Sequence, residues 1–250
     1  MIGNPLTILD EVDSSNNYAT GQALQGLAHH GHAFMALHQT AGRGQRGKTW
    51  LTQPGQNLAL SIVLDMRQTL ISRQFGLSAA VALGVFDFFS HYAGEETRIK
   101  WPNDLYWRDR KAVGILLENT IKGQIWQWTI AGIGMNVNQT AFDANFQTKA
   151  VSLKQITGRQ FELKEVASEL CKALQARFEQ FLTGDQHELF KAYNEVLFRK
   201  ETDVRLVYQQ KSYNCRILEV DFSGKLWIEG APVPYFQFGE VQWQIQADTL

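Results

Sequence analysis

Cysteine is scarce in this chain of 250 residues: Cys171 and Cys215 stand far apart and outside any C-x-x-C pattern. They are most simply read as reduced thiols in a cytosolic protein. Excess charge of one sign is missing too. Against 24 Lys and Arg stand 25 Asp and Glu, a net charge of −1, so no global field draws the chain toward nucleic acid. The stretch from Met1 to Thr7 has neither the charged segment nor the apolar segment of a secretory signal, and no apolar run reaches membrane-spanning length. No internal repeat or low-complexity segment is visible. These absences predict a soluble cytoplasmic protein with neither membrane nor nucleic acid as partner. Its 44% hydrophobic content is enough to bury a sizeable core, and its length suits one large domain plus a small one.

What the chain does have is a loop, Gly42-Arg43-Gly44-Gln45-Arg46-Gly47-Lys48-Thr49-Trp50, in which glycines alternate with three cations. Glycine lets backbone N–H groups turn into one concavity, and the cations add positive charge there, a combination suited to phosphate. The segment satisfies G-x-G-x-x-G, but a dinucleotide fingerprint needs a helix next. Here turn residues Thr52 to Asn57 follow, and then the apolar run Leu58 to Leu64, which reads as a strand. Strand, loop and strand resemble the kinase glycine loop more closely, yet the chain holds no H-R-D or D-F-G triplet. Alone, the loop fits equally a flexible surface segment with solvated charges.

Three further segments carry chemistry. Lys100-Trp101-Pro102-Asn103-Asp104 sets an amide and a carboxylate just after a proline. Lys111 heads the apolar run to Glu118, and Gly132-Ile-Gly134-Met-Asn136-Val-Asn138 ends the next with small residues and amides. Singly, each has a bland reading as turn lysine, strand-end amide or bulge glycine. His29, His30, His32 and His38 cluster in sequence but lack Cys or carboxylate partners at zinc-site spacing, and His29 and His30 are expected near a helix C-terminus.

In this order the segments resemble the biotin protein ligase family, that is, the biotin–[acetyl-CoA-carboxylase] ligases. Asp13-Ser14-Ser15-Asn16 matches D-S-T-N, and Gln39 with Gly42 to Trp50 matches G-R-G-R-x-G-x-x-W. Lys100 to Asp104 matches K-W-P-N-D, Lys111 to Glu118 matches K-x-x-G-I-L-x-E, and Gly132 to Asn138 matches G-I-G-I-N-V-N. The chain departs at Ser15, which keeps the threonine hydroxyl, and at Gln45, where the family most often has a second arginine.

The resemblance implies ATP-dependent attachment of biotin to a lysine of a biotin carboxyl carrier domain, through biotinyl-5′-AMP and with Mg²⁺. It casts Lys111, Arg43 and Asp104 as catalytic residues, with Asp104 acting on the incoming lysine, in the metal's second shell or as a loop brace. Biotin contacts fall to Ser14, Ser15, Asn16, Gln39, Gly42, Arg43, Gly44, Gln45, Trp50, Lys111, Gly132 and Gly134. ATP contacts fall to Arg43, Arg46, Lys48, Trp50, Asn103, Lys111 and Asn136. The ligase begins almost at Asp13, leaving no room for the helix-turn-helix repressor domain of some members, so no repressor activity is expected. A homodimer is left open. A lipoate or octanoate ligase shares the adenylation logic but resembles R-R-x-G-G-G-x-V-x-H instead; a single-strand binder using Arg-Gly repeats is the reading from another class.

The pattern predicts an α+β fold, a mixed, largely antiparallel sheet with packed helices over residues 1–200 and then a small barrel over 201–250; the resemblance implies that the first is class II synthetase-like and the second SH3-like. Strands are expected at Leu6 to Leu9, Ala33 to Leu37, Leu58 to Leu64, Asp104 to Trp107, Ala112 to Asn119 and Gln124 to Asn136. Trp126, Trp128 and Ile130 are expected on one apolar sheet face. Helices are expected at Ser15 to His29, capped by Asp13 or Ser14, and at Phe75 to Tyr92, Leu163 to Leu182 and His187 to Phe198. The barrel rests on short strands at Val204 to Tyr208, Cys215 to Val220, Lys225 to Ile228 and Glu240 to Ile245. Family matches there are limited to Phe222 to Leu226 and Gly239 to Val241. The 42–50 loop, with its unpaired cations, is expected to stay open until an anion arrives.

Overall fold

The computed structural model describes residues 1–143, 146, 147 and 149–244, so the last residue of the strand expected at Glu240 to Ile245 lies outside the described residues. Seven strands form the first sheet: β1 (Leu6–Val12), β2 (Ala33–Gln39), β3 (Leu58–Asp65), β4 (Thr97–Lys100), β5 (Asp104–Trp107), β6 (Arg110–Lys122) and β7 (Ile125–Met135). Their spatial order is β1-β2-β3-β7-β6-β5-β4, parallel between β1 and β2 and antiparallel elsewhere. The helices are α1 (Ser15–Leu24), α2 (Gln74–Ala93), α3 (Leu153–Thr157), α4 (Leu163–Thr183) and α5 (Gln186–Glu195). A second, wholly antiparallel sheet follows, built from β8 (Asp203–Tyr208), β9 (Lys211–Val220), β10 (Leu226–Glu229), β11 (Tyr235–Phe236) and β12 (Val241–Trp243) in the order β11-β10-β9-β8-β12. The α+β class, the antiparallel β5-β6-β7 meander and the small C-terminal sheet are as expected.

Side chains alternate between the two faces of a strand, and this decides where the site lies. In β3 and β7, Leu58, Leu60, Ile62, Leu64, Ala131, Ile133 and Met135 join the main core beneath α2 and α4. The opposite face carries Ala59, Ser61, Val63, Ile130, Gly132 and Gly134, and α1 covers part of it through a smaller cluster of Ala19, Ala23, Phe34, Val63 and Ile130. Helix α4 presents Val166, Ala167, Leu170, Cys171, Leu174, Phe178 and Phe181 at helical spacing to that core. Both cysteines are free and buried, as their isolation suggested, and burial pushes the Cys171 thiol up to about 12.

Several expectations need correcting. Helix α1 stops at Leu24 rather than His29, because Gly26 takes φ 71, a left-handed stop that glycine adopts without strain. His29 and His30 therefore sit in the turn before β2, where His30 Nδ1 accepts from the Asp65 N–H at 3.2 Å. Trp126, Trp128 and Ile130 do not share a face. Thr120 pairs with Trp128 and Ile121 with Trp126, so Gln127 is the extra residue of a bulge that turns Trp126 into the main core while Trp128 packs with Ile130. Helix α5 ends at Glu195, and the chain through Leu197 and Phe198 bonds to Ile99 instead. The segment Ile71–Ala93 is, at 23 residues, long and apolar enough to cross a membrane, against the expectation that no run would be. Its place between sheet and α4 accounts for the composition: at Gly84 a Cβ would come within 3.0 Å of the Leu174 backbone.

Candidate active site

On the α1 face, strand pairing lines up mostly small residues in two rows. Ala59, Gly134 and Gly114 form one; Ser61, Gly132 and Leu116 form the other. The result is a trough. Its glycines are required by what lies on them: a Cβ on Gly134 would stand 2.5 Å from Cε2 of Trp50, one on Gly114 3.0 Å from the same ring, and one on Gly132 would overlap the Asn16 amide.

At one end the N-terminus of α1 delivers neutral hydrogen-bonding groups. Ser14 occupies the N-cap with extended backbone, yet its hydroxyl makes no capping bond and faces the cleft. The Ser15 N–H donates to Gln39 Oε1 at 2.8 Å, and its hydroxyl lies 3.1 Å from the same oxygen. Ser61 Oγ, fully buried, lies 2.8 Å from Ser15 Oγ and 2.6 Å from Asn16 Oδ1. Asn16 Nδ2 donates to Glu118 Oε2 at 2.8 Å. Ser61 and Glu118 had no assigned role in the sequence reading. Ser61 was nonetheless visible as the one polar residue inside the apolar run Leu58 to Leu64.

The 42–50 loop folds back as a small hairpin. Trp50 N–H donates to Gly42 O at 2.9 Å, Gly44 N–H to Lys48 O at 2.7 Å, and a single tight turn spans Gln45–Gly47 with Arg46 at φ 54. Its cations are not all free, which corrects the picture of unpaired charges. Arg43 forks onto Glu118 (Nη2 to Oε1, 2.8 Å) and donates to Asn17 Oδ1 at 2.6 Å. Arg46 donates to the Gly239 carbonyl at 2.7 Å. A carboxylate and backbone carbonyls within reach take the place of an anion. Lys48 lines the cleft, and Gln45 Nε2 donates to Ile115 O at 3.4 Å. Gly42 is buried behind the hairpin, where a Cβ would overlap the Trp50 carbonyl, so it shapes the loop and does not line the cleft.

Cations and a carboxylate gather at the other end. Lys111 Nζ lies 2.7 Å from Asp104 Oδ2 and 5.7 Å from the centre of the Trp50 ring. The Lys100 to Asp104 turn is braced by Tyr193 OH, which donates to Pro102 O at 2.8 Å, and by Trp101 Nε1, which donates to Gly224 O at 3.0 Å. Asn103 lines the cleft, its amide donating to the Ile115 carbonyl. Asn136 does not line it. It is buried beneath Lys111, donating to Val151 O at 3.2 Å and to Lys111 O at 3.4 Å, and so anchors the strand end that carries the lysine. Lys100, another residue to which the sequence gave no role, lies between the Tyr106 and Trp243 rings at 5.3 and 4.8 Å. Burial lowers it to about 8, against the opposing pull of Asp104, and neighbouring Lys111 and Lys48 push the same way as burial.

Of the residues given catalytic, biotin or ATP roles from sequence, all but Gly42 and Asn136 line one continuous cleft of about 1990 Å³. That exceeds the roughly 300–1,000 Å³ usual for one small ligand, leaving room for two substrates side by side. Among the described residues no group of three or more His, Cys, Asp or Glu is placed to hold a metal ion.

Residues 9–136 match the biotin/lipoate A/B protein ligase family. The chain is 31% identical over 179 residues to the bifunctional ligase/repressor BirA of Escherichia coli, covering 72% of this chain and 55% of that protein. It is 29% identical over 179 residues to the biotin–[acetyl-CoA-carboxylase] ligase of Mycobacterium tuberculosis, covering 70% and 65%. It thus spans about half the length of the first curated relatives it matches. In fold it is similar to the biotin protein ligase from Aquifex aeolicus in complex with biotin and ATP, with a TM-score of 0.78 and 23% identity over 96% of this chain and 99% of that one. The likeness therefore takes in both sheets.

Proposed function

The chain belongs to the biotin/lipoate A/B protein ligase family, and from that premise we propose that it is a biotin–[biotin carboxyl-carrier protein] ligase, forming biotinyl-5′-AMP from biotin and ATP and passing the biotinyl group to a carrier lysine. The observation that carries the reading is the order of chemistry along the trough. Neutral donors and acceptors at Ser14, Ser15, Asn16 and Gln39 come first, with buried Ser61 bracing Ser15 and Asn16 from behind, then a glycine floor under Trp50, then Lys111 and its fellow cations. Biotin has that same order, with a neutral ureido ring, an aliphatic chain and a carboxylate.

In the first step a biotin carboxylate oxygen attacks the α-phosphorus of ATP, and the bond to the bridging oxygen breaks to release pyrophosphate. In the second, the carrier amine attacks the acyl carbon, AMP leaves with the bonding electrons, and the amine proton passes to solvent or to Asp104. Neither step needs a protein nucleophile; positioning and charge stabilisation suffice. Lys111 bridges the carboxylate and the α-phosphate. Arg43 exchanges Glu118 for phosphate, Lys48 and Gln45 lie along the nucleotide, and Arg46, turned onto Gly239, holds the loop beside it. Gly44, Gly132 and Gly134 let biotin lie against backbone, and Asn103 faces the nucleotide. Mg²⁺, if carried in on the triphosphate, would offset phosphate charge, and Asp104, the carboxylate paired with Lys111, would lie in its second shell. Residues 1–200 are proposed as the catalytic unit and 201–250 as the SH3-like one, working in the cytoplasm.

Pyrophosphate exchange tests the reading: the protein is incubated with ATP and radiolabelled pyrophosphate, and label entering ATP is measured with biotin, with lipoate and with neither. Exchange that requires biotin supports the proposal. Exchange with lipoate alone moves the chain to the lipoate ligases, and exchange with neither removes adenylation.

A further inference from the structure

We infer that Phe238 and Gly239, in the turn before β12 of the C-terminal sheet, are positioning residues that latch the 42–50 loop shut through Arg46. The turn is built as a receptor. Glu240 N–H donates to Gln237 O at 3.1 Å, and Gln237 N–H donates to Glu240 Oε2 at 2.7 Å, so the two intervening carbonyls point outward. Arg46 takes both: Nη1 donates to Gly239 O at 2.7 Å and Nη2 to Phe238 O at 3.3 Å. Its guanidinium lies 5.1 Å from the centre of the Phe238 ring, an aromatic that is otherwise 46% exposed. That ring in turn meets Trp101 edge-on at 6.3 Å, which ties the turn to the Lys100 to Asp104 segment.

Two backbone facts make the contact a constraint. Arg46 has φ 54, a left-handed conformation that costs a residue with a Cβ, so the side-chain contact adds to the hairpin's own hydrogen bonds in holding the turn. Gly239 has φ 88, and a Cβ on it would overlap the Arg46 guanidinium, so only glycine admits the latch. The C-terminal sheet thereby reaches a loop 193 residues earlier in sequence and sets its geometry before substrate arrives. Resting on the proposed function, the kinetic consequence is that loss of the latch weakens nucleotide retention while leaving Lys111 and the chemical step in place.

The test is amide hydrogen exchange over residues 42–50 of the full chain without ligand, in wild type, Phe238→Ala and Gly239→Ala. Phe238→Ala should speed exchange about two- to fivefold, the range for losing an exposed cation–π contact, and Gly239→Ala about tenfold or more, since hydrogen bonds to a charged group go as well. Strands β3 and β7 should exchange as before. In an Arg46→Ala background, Phe238→Ala should add nothing, which separates a latch from general loosening. In pyrophosphate exchange, KM for ATP should rise in both variants with kcat kept. Unchanged loop exchange in a folded Phe238→Ala protein, or full additivity with Arg46→Ala, overturns the latch, even should Gly239→Ala fail to fold. If wild type shows no biotin-dependent exchange, the proposed function falls while the amide measurement still decides the latch.

Discussion

Lys111 Nζ and Asp104 Oδ2 stand 2.7 Å apart with side chains 31% and 26% exposed, a charge pair held at the edge of the cleft rather than sealed in the core. An ion pair that wet contributes about 0–1 kcal/mol to folding, so its placement makes sense chiefly as chemistry. Lys111→Ala should therefore melt close to wild type while adenylate formation falls a hundredfold or more, about 3–4 kcal/mol of lost transition-state stabilisation. Thermal melting and pyrophosphate exchange on the same preparation check both halves. Turnover near wild type would take Lys111 out of the mechanism.

The glycine floor gives a second expectation. Gly134→Ala places a methyl 2.5 Å from the Trp50 ring, and the ring must lift because the other side of the contact is strand backbone. Biotin affinity should drop about tenfold, near the 1.4 kcal/mol that one displaced apolar wall costs, while the partly exposed Trp50 limits the stability loss to under about 1.5 kcal/mol. Calorimetric titration with biotin decides it. Unchanged affinity would mean that the ligand does not lie along this trough.

Much of this arrangement was legible because glycine and lysine at fixed spacing leave local marks. Gly132 and Gly134 stand out in an apolar run, and Lys111 heads one. What could not be read was pairing over distance. Arg43 meets Glu118, 75 positions away, and Arg46 meets Gly239, 193 away, so the loop's charges looked free. Asn136 looked like a contact residue because an amide at a strand end does not reveal whether it faces ligand or backbone. The Gln127 bulge was invisible for a related reason: one inserted residue reverses strand alternation without changing composition. Helix α3 was missed although its capping box, Ser152 with Gln155, is written in the sequence. Strand β4 is a four-residue edge strand with two charged side chains, too short and polar to show.

Stability should respond to pH through the histidines before β2. Burial lowers His30, aided by the N-terminal ammonium and His29 and opposed by Asp65, and burial also lowers His32. A base whose folded pKa lies below its unfolded 6.5 contributes fully above 6.5, where both states are neutral. Below that value the unfolded chain binds the proton more readily, and stability falls until the folded pKa is passed. The melting temperature should thus decline as pH drops from about 6.5 toward 5, and His30→Gln should flatten the decline. An equally steep decline in the variant would place the effect elsewhere.

Lys100 gives a second window of the same sign on the alkaline side. With its folded pKa near 8 against 10.5 unfolded, stability from this group rises with pH between those values, because there the unfolded chain carries the proton and the folded one does not. Lys100 lines the cleft, so under the proposed function its charge faces the polyphosphate of ATP. Affinity for ATP should therefore weaken as pH climbs through about 8, the lysine losing its charge as it does so. In Lys100→Met that inflection should vanish. ATP titrations from pH 7 to 9 measure it, and a variant that retains the inflection would assign it to another group.

The last expectation concerns Gln45, where the family most often has arginine. Gln45 lines the cleft and donates weakly, at 3.4 Å, to Ile115 O, while its neighbour Arg46 is turned away onto Gly239 and so does not fill the missing role. An arginine at this position would add a charge-assisted hydrogen bond to the adenylate, about 1.5–3 kcal/mol against roughly 0.5–1.5 for a neutral amide. The difference, about 1 kcal/mol, amounts to several-fold in residence time, since affinity changes of this kind fall mostly on the off-rate. Gln45→Arg should therefore slow release of biotinyl-5′-AMP several-fold and leave its rate of formation nearly unchanged, Lys111 and Arg43 still carrying that step. Stopped-flow tryptophan fluorescence, with Trp50 on the trough as reporter, follows the release directly. An unchanged or faster off-rate would mean that an arginine at this position does not reach the adenylate.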